Sequence, residues 1–189
     1  GLFGKRYVAS QAHTWVGVDY ELATGLIRGR FVRSAILRTV SFSVPNPASF
    51  WNGLWHHIAI QRRAGVVEIF VDGVRGSVSH TAGTSTLNNG SSAFVQLNGQ
   101  YVDSNFSSIG NQWSGHMDEF RITHGSARYP LEGFSPPTGP FPRGADDPLW
   151  GMVTCLHGFD EDIGASMNGV TVSLTPSLSG GNNNGIGAI

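Results

Sequence analysis

The feature that most constrains the fold of this chain is an alternation of apolar and polar residues with a period of two. In the stretch ILRTVSFSV (36–44), the apolar positions 36, 40, 42 and 44 fall on one face of an extended strand. Successive side chains of a strand point to opposite faces, so this pattern predicts a half-buried antiparallel strand. HHIAIQRR repeats the pattern with Ile58 and Ile60 inward, and AFVQL (93–97) and HMDEFRIT (116–123) predict further strands. We therefore predict an all-β fold, an antiparallel β-sandwich.

Turn signals agree with this fold class. In VVEIFVDGVRGSVSH, Asp72 and Gly73 lie between two β-rich runs. An Asp-Gly pair in this setting is the short-range signal of a β-hairpin, because both residues of the tight turn need a positive φ. We therefore assign Asp72 and Gly73 a structural role.

The charge balance excludes two classes of partner. Twelve Lys and Arg residues stand against thirteen Asp and Glu residues, and no basic stripe is present. Such a chain has no means of neutralising a phosphate backbone, so we expect no nucleic-acid partner. No apolar run approaches the roughly 20 residues that span a bilayer, so we expect no membrane insertion.

The composition also argues against a zinc site. His56 and His57 are adjacent on a predicted strand and would face opposite sides. No paired-cysteine spacing occurs, and the lone Cys155 cannot form an internal disulfide.

A change in amino-acid composition and strand pattern divides the chain into three parts. Residues 1–142 hold the predicted sandwich strands, and 143–148 form the end of a proline-rich stretch that predicts a linker. Residues 149–189 form a tail with two possible strands, LWGMVTCLHGF and GVTVSL. Two strands alone are marginally stable, so this tail must pack on its own sandwich or on a neighbouring chain. An intermolecular or tandem arrangement is the expectation that we favour.

Two segments resemble a known family. GLWHHIAIQRRAGVVEIFVDGV and SGHMDEFRITHGSARYPLEGFSPPTGPFP look like the concanavalin A-like lectin/glucanase superfamily, in the laminin G-like branch found in bacteriophage tail and surface-adhesion proteins. The resemblance covers residues 26–142 and implies a jelly-roll sandwich. The family's usual opening strands are missing from residues 1–142, and the tail resembles the opening of a further repeat or the completion of the same sandwich.

The same resemblance makes the carboxylates of the segment 116–123 worth testing as catalysts. Glycan-cleaving relatives hold two carboxylates across the scissile bond in a Glu-x-Asp-x-x-Glu strand motif, which this segment lacks. Asp118 alternates in phase with the apolar residues and is expected to be buried and hydrogen-bonded to backbone, as a structural residue. Glu119 and Arg121 are expected to form a solvated pair on the outer face. We therefore predict no enzymatic activity from this strand.

Sugar binding needs a flat aromatic ring beside amide or carboxylate groups, and a Gly- and Ser-rich segment between two strands supplies both. The predicted ligand-binding residues of this segment are Tyr101, Asp103, Asn105 and Trp113. Packing of Trp113 as ordinary core is an equal alternative. Trp51 is a second loop aromatic and a further candidate, whereas Trp55 leads a predicted strand and is expected to be structural core.

Calcium is the one cofactor left open. Asp103, Asn105 and Asp118 could supply oxygen ligands, although Asp103 and Asn105 are also ordinary turn-capping residues. The predicted function is a non-catalytic adhesion or structural module of a virion or cell surface, such as a phage tail. It would contact host glycan and other copies or neighbouring subunits. The alternatives are a purely structural assembly protein, a calcium-dependent lectin and an accessory domain of a glycosidase.

Overall fold

The structure is a computed structural model that describes eight stretches of the chain. These are residues 3–6, 15–33, 36–77, 80–81, 96–97, 100–101, 109–110 and 116–157. Nearly all regular structure in these stretches is β.

In the described stretches, thirteen strands follow one another. They are β1 (Phe3–Arg6), β2 (Trp15–Glu21), β3 (Leu26–Arg33), β4 (Ile36–Ser43), β5 (Ile58–Arg63), β6 (Val66–Val71), β7 (Val74–Arg75), β8 (His80–Thr81), β9 (Gln96–Leu97), β10 (Gln100–Tyr101), β11 (Ile109–Gly110), β12 (Phe120–Thr123) and β13 (Val153–His157). One short helical turn, α1 (Pro47–Phe50), lies between β4 and β5. Two 3-10 turns, Gly144–Asp146 and Trp150–Met152, precede β13.

Two antiparallel sheets form the body of the molecule. The first has the order β4-β3-β2-β1-β9, and the second has β5 on one edge of β6 with β7 and β8 on the other. β10 pairs with β11 and β12 pairs with β13 as separate two-stranded sheets. The predicted Asp72-Gly73 hairpin is present between β6 and β7, where the two residues have φ of 50° and 78°.

The core lies between the two main sheets. Val18, Ile27 and Val40 from the first sheet meet Val67 and Ile69 from β6, and each of these five side chains is almost fully buried. Two apolar faces packed in this way make the predicted β-sandwich, and the fold class is confirmed.

Gly29 shows how closely the sheets approach. A Cβ built on Gly29 would lie 2.3 Å from Cδ1 of Ile60 and 2.9 Å from Cγ2 of Val40. Any side chain at this position would force the sheets apart, since interiors are packed to crystal-like density.

A C-terminal segment, residues 116–157, covers the outer face of the second sheet, and we call it the strap. The Gln61 side chain on β5 donates to the Tyr129 carbonyl at 2.8 Å and accepts from the Tyr129 N–H at 3.0 Å. Arg63 donates to the same carbonyl at 2.6 Å. Beneath the strap, Phe70 is completely buried, so both faces of β6 are covered.

The strap returns to its own chain rather than running on as an extended linker. Val153–His157 pairs antiparallel with Phe120–Thr123, with an irregularity between Ile122 and Thr123. Within the segment predicted as a linker, Asp147 is buried and receives two hydrogen bonds from Arg128, at 2.9 and 2.7 Å. Residues 153–157 therefore pair within their own chain, and the predicted intermolecular or tandem arrangement of the tail stays a prediction.

Several strand predictions were correct in place and wrong in extent. The strand of 36–44 is present, but its first residue, Ile36, is half exposed and Ser41 on the supposed polar face is buried. The strand predicted at 116–123 begins only at Phe120. Two strands, β1 and β2, precede the region where the resemblance begins.

Candidate functional site

Three connections gather at one end of the sandwich, and we call this end the rim. They are the β2–β3 turn (22–25), the β4–β5 loop (44–57) and the β6–β7 turn (72–73). The Val44 N–H donates to the Gly25 carbonyl at 3.0 Å, and the Asp72 N–H donates to the His57 carbonyl at 2.8 Å. These bonds tie the three connections together, and such loop clusters on a rigid sheet scaffold commonly carry binding residues.

Trp55 is the most prominent side chain of the rim. It is 68% exposed, and its neighbour Leu54 is 69% exposed. The prediction that Trp55 is core was wrong, because β5 begins three residues later, at Ile58, and leaves Trp55 in the loop. An exposed tryptophan offers a large flat apolar face that water solvates poorly.

Trp51 differs from Trp55 in its exposure to solvent. It is only partly exposed and packs against the sandwich core. Its ring meets Tyr20 edge-on, with centroids 4.9 Å apart, and Phe50 at 4.6 Å. The two tryptophans of the loop have thus exchanged the roles that the sequence suggested, since Trp51 anchors the loop and Trp55 is presented to solvent.

His56, the residue after Trp55, holds the β4–β5 loop through contacts at both of its ring nitrogens. Its Nδ1 lies 2.7 Å from Oδ2 of Asp72 and its Nε2 lies 2.8 Å from the Phe50 carbonyl oxygen. Its ring stacks on that of Phe50, with centroids 3.7 Å apart and 15° between the planes. The other carboxylate oxygen of Asp72 accepts the His57 N–H at 2.8 Å.

Polar groups lie near the exposed ring. The His116 ring centroid is 6.5 Å from that of Trp55. Oδ1 of Asn52 accepts the Leu54 N–H at 3.0 Å, which shapes the loop tip as an Asx turn. Hydrogen-bonding side chains beside an exposed aromatic face are the chemistry that orients a sugar ring.

Asp118 is exposed, so the prediction of a buried carboxylate was wrong. Its Oδ1 accepts the Glu119 N–H at 2.8 Å. Glu119 has a φ of 50°, a left-handed conformation that ends the strand alternation before Phe120. The alternation of side chains between the two faces of the strand, seen at Phe120 and Ile122, therefore does not extend back to Asp118.

Glu119 and Arg121 do not form the predicted solvated pair. Glu119 accepts the Phe141 N–H at 2.8 Å. The Arg121 side chain is 7% exposed, with its guanidinium carbon 3.9 Å from the centroid of the Phe141 ring. It also donates to the Tyr129 hydroxyl at 3.2 Å. Both side chains hold the strap together from within.

A carboxylate pair that the sequence analysis did not weigh lies on the outer face of the first sheet. Asp19 and Glu21 are two residues apart on β2 and so share one face. Arg28 bonds both carboxylates, and Arg30 also pairs with Asp19. The Asp-x-Glu spacing was the signal that could have found them.

The electrostatics of this pair do not suit acid catalysis. The Thr24 hydroxyl donates to Glu21 at 2.6 Å, and this bond, together with the charge of Arg28, holds the pKa of Glu21 below its ordinary value despite some desolvation. A glycosidase acid needs a raised pKa so that it carries a proton near neutral pH. Glu21 is shifted in the opposite direction.

The predicted sugar loop is outside the part of the chain that can be described. Tyr101 lies in β10, but its side chain, like Asp103, Asn105 and Trp113, falls outside the described residues. Those four predictions, and the calcium ligands among them, stay predictions.

The described residues show neither a candidate metal centre nor a membrane-spanning helix. Within these stretches, no group of three or more His, Cys, Asp and Glu side chains is placed to hold a metal ion. No helix in the same stretches is long and apolar enough to cross a membrane.

Comparison with known proteins identifies the family. The family model of the concanavalin A-like lectin/glucanases superfamily, in its laminin G-like form, matches residues 10–128. The chain belongs to this superfamily, whose domain is a carbohydrate- or protein-binding fold. No curated protein and no solved structure matches it significantly. The match ends at Arg128, so the part of the strap from Tyr129 onward lies outside the matched residues.

Proposed function

We propose that this member of the concanavalin A-like superfamily is a non-catalytic adhesion module that binds glycan through the Trp55 side of its rim. The observation that carries the proposal is the 68% exposure of Trp55 on a loop that is otherwise fastened to the core. Burying that ring on folding would have been favourable by a few kcal/mol, so its exposure calls for a ligand. Pyranose rings present an apolar C–H face that stacks on such a surface.

The non-catalytic part of the proposal rests on the carboxylates. Both members of the Asp19 and Glu21 pair are bound by arginines, and the pKa of Glu21 is lowered. Asp118 is exposed and stands beside Glu119, which is engaged in the strap. Neither pair offers one protonated and one free carboxylate facing a common substrate.

The biological setting is a further part of the proposal, motivated by the resemblance of the sequence to laminin G-like adhesion modules. We place the module on a virion or cell surface, such as a phage tail, in contact with host glycan and with other copies or neighbouring subunits. A near-neutral charge and a compact β-sandwich are compatible with dense assembly, since neither introduces strong repulsion between copies.

The test begins with a glycan array probed with the full chain, followed by calorimetric titration of the strongest hit. Trp55→Ala is expected to weaken binding roughly 3- to 10-fold, the range that corresponds to an aromatic stacking contact. Leu22→Ala is the matched control, because Leu22 is 83% exposed at the same rim but has no aromatic face. Equal affinities of wild type and Trp55→Ala would move the site elsewhere, and an empty array would overturn glycan binding.

The titration is repeated with a calcium chelator. We expect unchanged affinity. Loss of binding with chelator, restored by added calcium, would identify a calcium-dependent lectin instead.

One observation favours a second function, a structural module that binds only protein. Leu22 and Leu54 are exposed at the same rim as Trp55, and clustered apolar side chains of this kind mark protein interfaces. Native mass spectrometry of the full chain tests this alternative. Assemblies that are lost in Leu54→Ala, together with an empty glycan array, would favour it.

A further inference from the structure

The two hydrogen bonds that His56 makes in the rim depend on the protonation state of its imidazole ring. The two acceptors of the His56 ring are the Asp72 carboxylate at Nδ1 and the Phe50 carbonyl at Nε2. A carbonyl oxygen only accepts hydrogen bonds, so Nε2 must carry a proton to bond Phe50. A neutral ring would then point the lone pair of Nδ1 at a carboxylate oxygen 2.7 Å away.

Both contacts are satisfied together only when a second proton lies between Nδ1 and Asp72. That proton makes His56 an imidazolium or is shared with the carboxylate. In either case the ring bridges two connections of the rim, the loop through Phe50 and the β6–β7 turn through Asp72. Without that proton, one of the two bonds must be given up.

Among the described residues, Asp72 is the charged group that the His56 ring contacts. The loop packs against it with the uncharged rings of Phe50 and Trp51, and β2 adds Tyr20 behind Trp51. The His56 side chain is 15% exposed. Water is therefore a poor substitute for a lost partner of the ring, whereas the Asp72 side chain is 42% exposed and can be solvated.

We infer that His56, in its doubly hydrogen-bonded form, is the positioning residue for Trp55 and makes ligand binding at the rim depend on pH. Trp55 is the next residue in the chain, so release of the Phe50 or Asp72 contact frees the backbone that presents its ring. The inference rests on the proposed function for its ligand, whereas the movement of the loop can be measured without any ligand.

The first experiment uses the full chain labelled with 5-fluorotryptophan, with the Trp55 signal assigned from Trp55→Phe. We expect its ¹⁹F resonance to change across a pH series from mildly acidic to mildly alkaline buffer, as the second proton leaves the contact between His56 and Asp72. The shift should vanish in His56→Gln. It should persist in His116→Gln, the matched control, because His116 is the other histidine near the Trp55 ring.

The second experiment measures binding of the best array ligand over the same pH range. Affinity is expected to fall on the order of five-fold as the pH rises, the factor for one net hydrogen bond. His56→Gln should flatten this profile, and His124→Gln, which changes an exposed histidine of the strap, should leave it intact.

The possible results distinguish the proposed role of His56 from the proposed binding of glycan. A Trp55 resonance that titrates, in a protein that binds no glycan at any pH, keeps the inference and rejects the proposed ligand. Glycan binding that Trp55→Ala weakens, with the same affinity at every pH and a Trp55 resonance that does not move, overturns the inference and keeps the function. A titration that survives His56→Gln and disappears in His116→Gln would assign the role to His116 instead.

Discussion

The strap and the rim are attached to the same sandwich in different ways. The strap is held by buried, multiple contacts: Arg128 and Asp147 make a two-bond ion pair, and Gln61 bonds the Tyr129 main chain twice. The rim loop is held by the contacts of His56, by two hydrogen bonds between His57 and Asp72 and by the packing of Trp51, while Trp55 is exposed. In this protein, buried polar contacts mark scaffold, whereas an exposed aromatic ring on a firmly held loop marks the place for a ligand.

The strongest way to break this comparison is to remove the buried anion of the strap. Asp147→Ala leaves Arg128 and Arg121 without their carboxylate in a dry environment, and we expect a loss of about 3–5 kcal/mol in the free energy of unfolding. Urea denaturation measures this loss. The adjacent Asp146 is exposed, so Asp146→Ala should stay within about 0.5 kcal/mol of wild type. Equal stability of the two variants would show that the ion pair does not hold the strap.

Gln61 gives the next largest effect. Gln61→Leu leaves the partly buried Tyr129 N–H without its Gln61 partner, while the Tyr129 carbonyl keeps Arg63, and we expect a loss of about 1–3 kcal/mol in the free energy of unfolding by urea denaturation. Gln61→Glu is the matched variant, because a carboxylate can still accept from the N–H but cannot donate to the carbonyl. It should fall between wild type and Gln61→Leu, and the reverse order would contradict a role for the amide group.

Acid should loosen the strap before it unfolds the sandwich. Burial among Tyr129, Phe134 and Phe141, together with the nearby charge of Arg121, lowers the pKa of His57 below its ordinary 6.5. The unfolded chain therefore binds the proton more readily. The contribution of His57 is complete above pH 6.5 and declines as the pH falls toward the lower folded value.

The difference in stability between wild type and His57→Phe measures this decline. It should change between pH 7 and pH 5 in the direction that disfavours wild type in acid. His124 is exposed, and His124→Gln should show no such trend. The pKa of Asp147 is also lowered, chiefly by its hydrogen bonds from Arg128, so its contribution is lost only at still lower pH, below its ordinary 3.8. A single transition below pH 4 would contradict a separate role for His57.

The smallest effects are expected at the exposed residues. Asp118→Ala and Trp55→Ala should each change the free energy of unfolding by less than about 0.5 kcal/mol, since neither side chain is buried. Thermal denaturation of the two variants checks this. A large loss in Asp118→Ala would restore the structural role that the sequence suggested, and a large loss in Trp55→Ala would show that its ring is needed for folding rather than for binding.

The general fold could be predicted because its signals are local. Alternation around Val40 and the Asp72-Gly73 turn depend on a few neighbouring residues, and both are present in the structure. The laminin G-like resemblance agreed with these signals, and the family match supports it. Local patterns and tertiary packing point the same way in this part of the chain.

The site could not be predicted, because it depends on where elements begin. Trp55 would lie within the strand if β5 started three residues earlier, and Asp118 would share a face with Phe120 if Glu119 kept an extended conformation. Period-two reasoning fixes the faces within a strand and says nothing about its first residue. The ion pair of Arg128 with Asp147 spans a segment rich in proline. Such a segment has no periodic pattern from which the pair could be predicted.

The hydrogen bonds between Gln61 and Tyr129 have a consequence for the order of folding. They join residues 68 positions apart, whereas the β5–β6 hairpin closes over two residues. Loop-closure entropy delays contacts between distant positions, so the hairpin forms early and the strap docks late. During synthesis, β6 leaves the ribosome well before Tyr129. The face of β6 that carries Phe70 therefore stays exposed until the strap has been synthesised and packs on it. Chaperone binding to nascent chains should therefore concentrate in this interval, and should fall once the chain has been extended past His157.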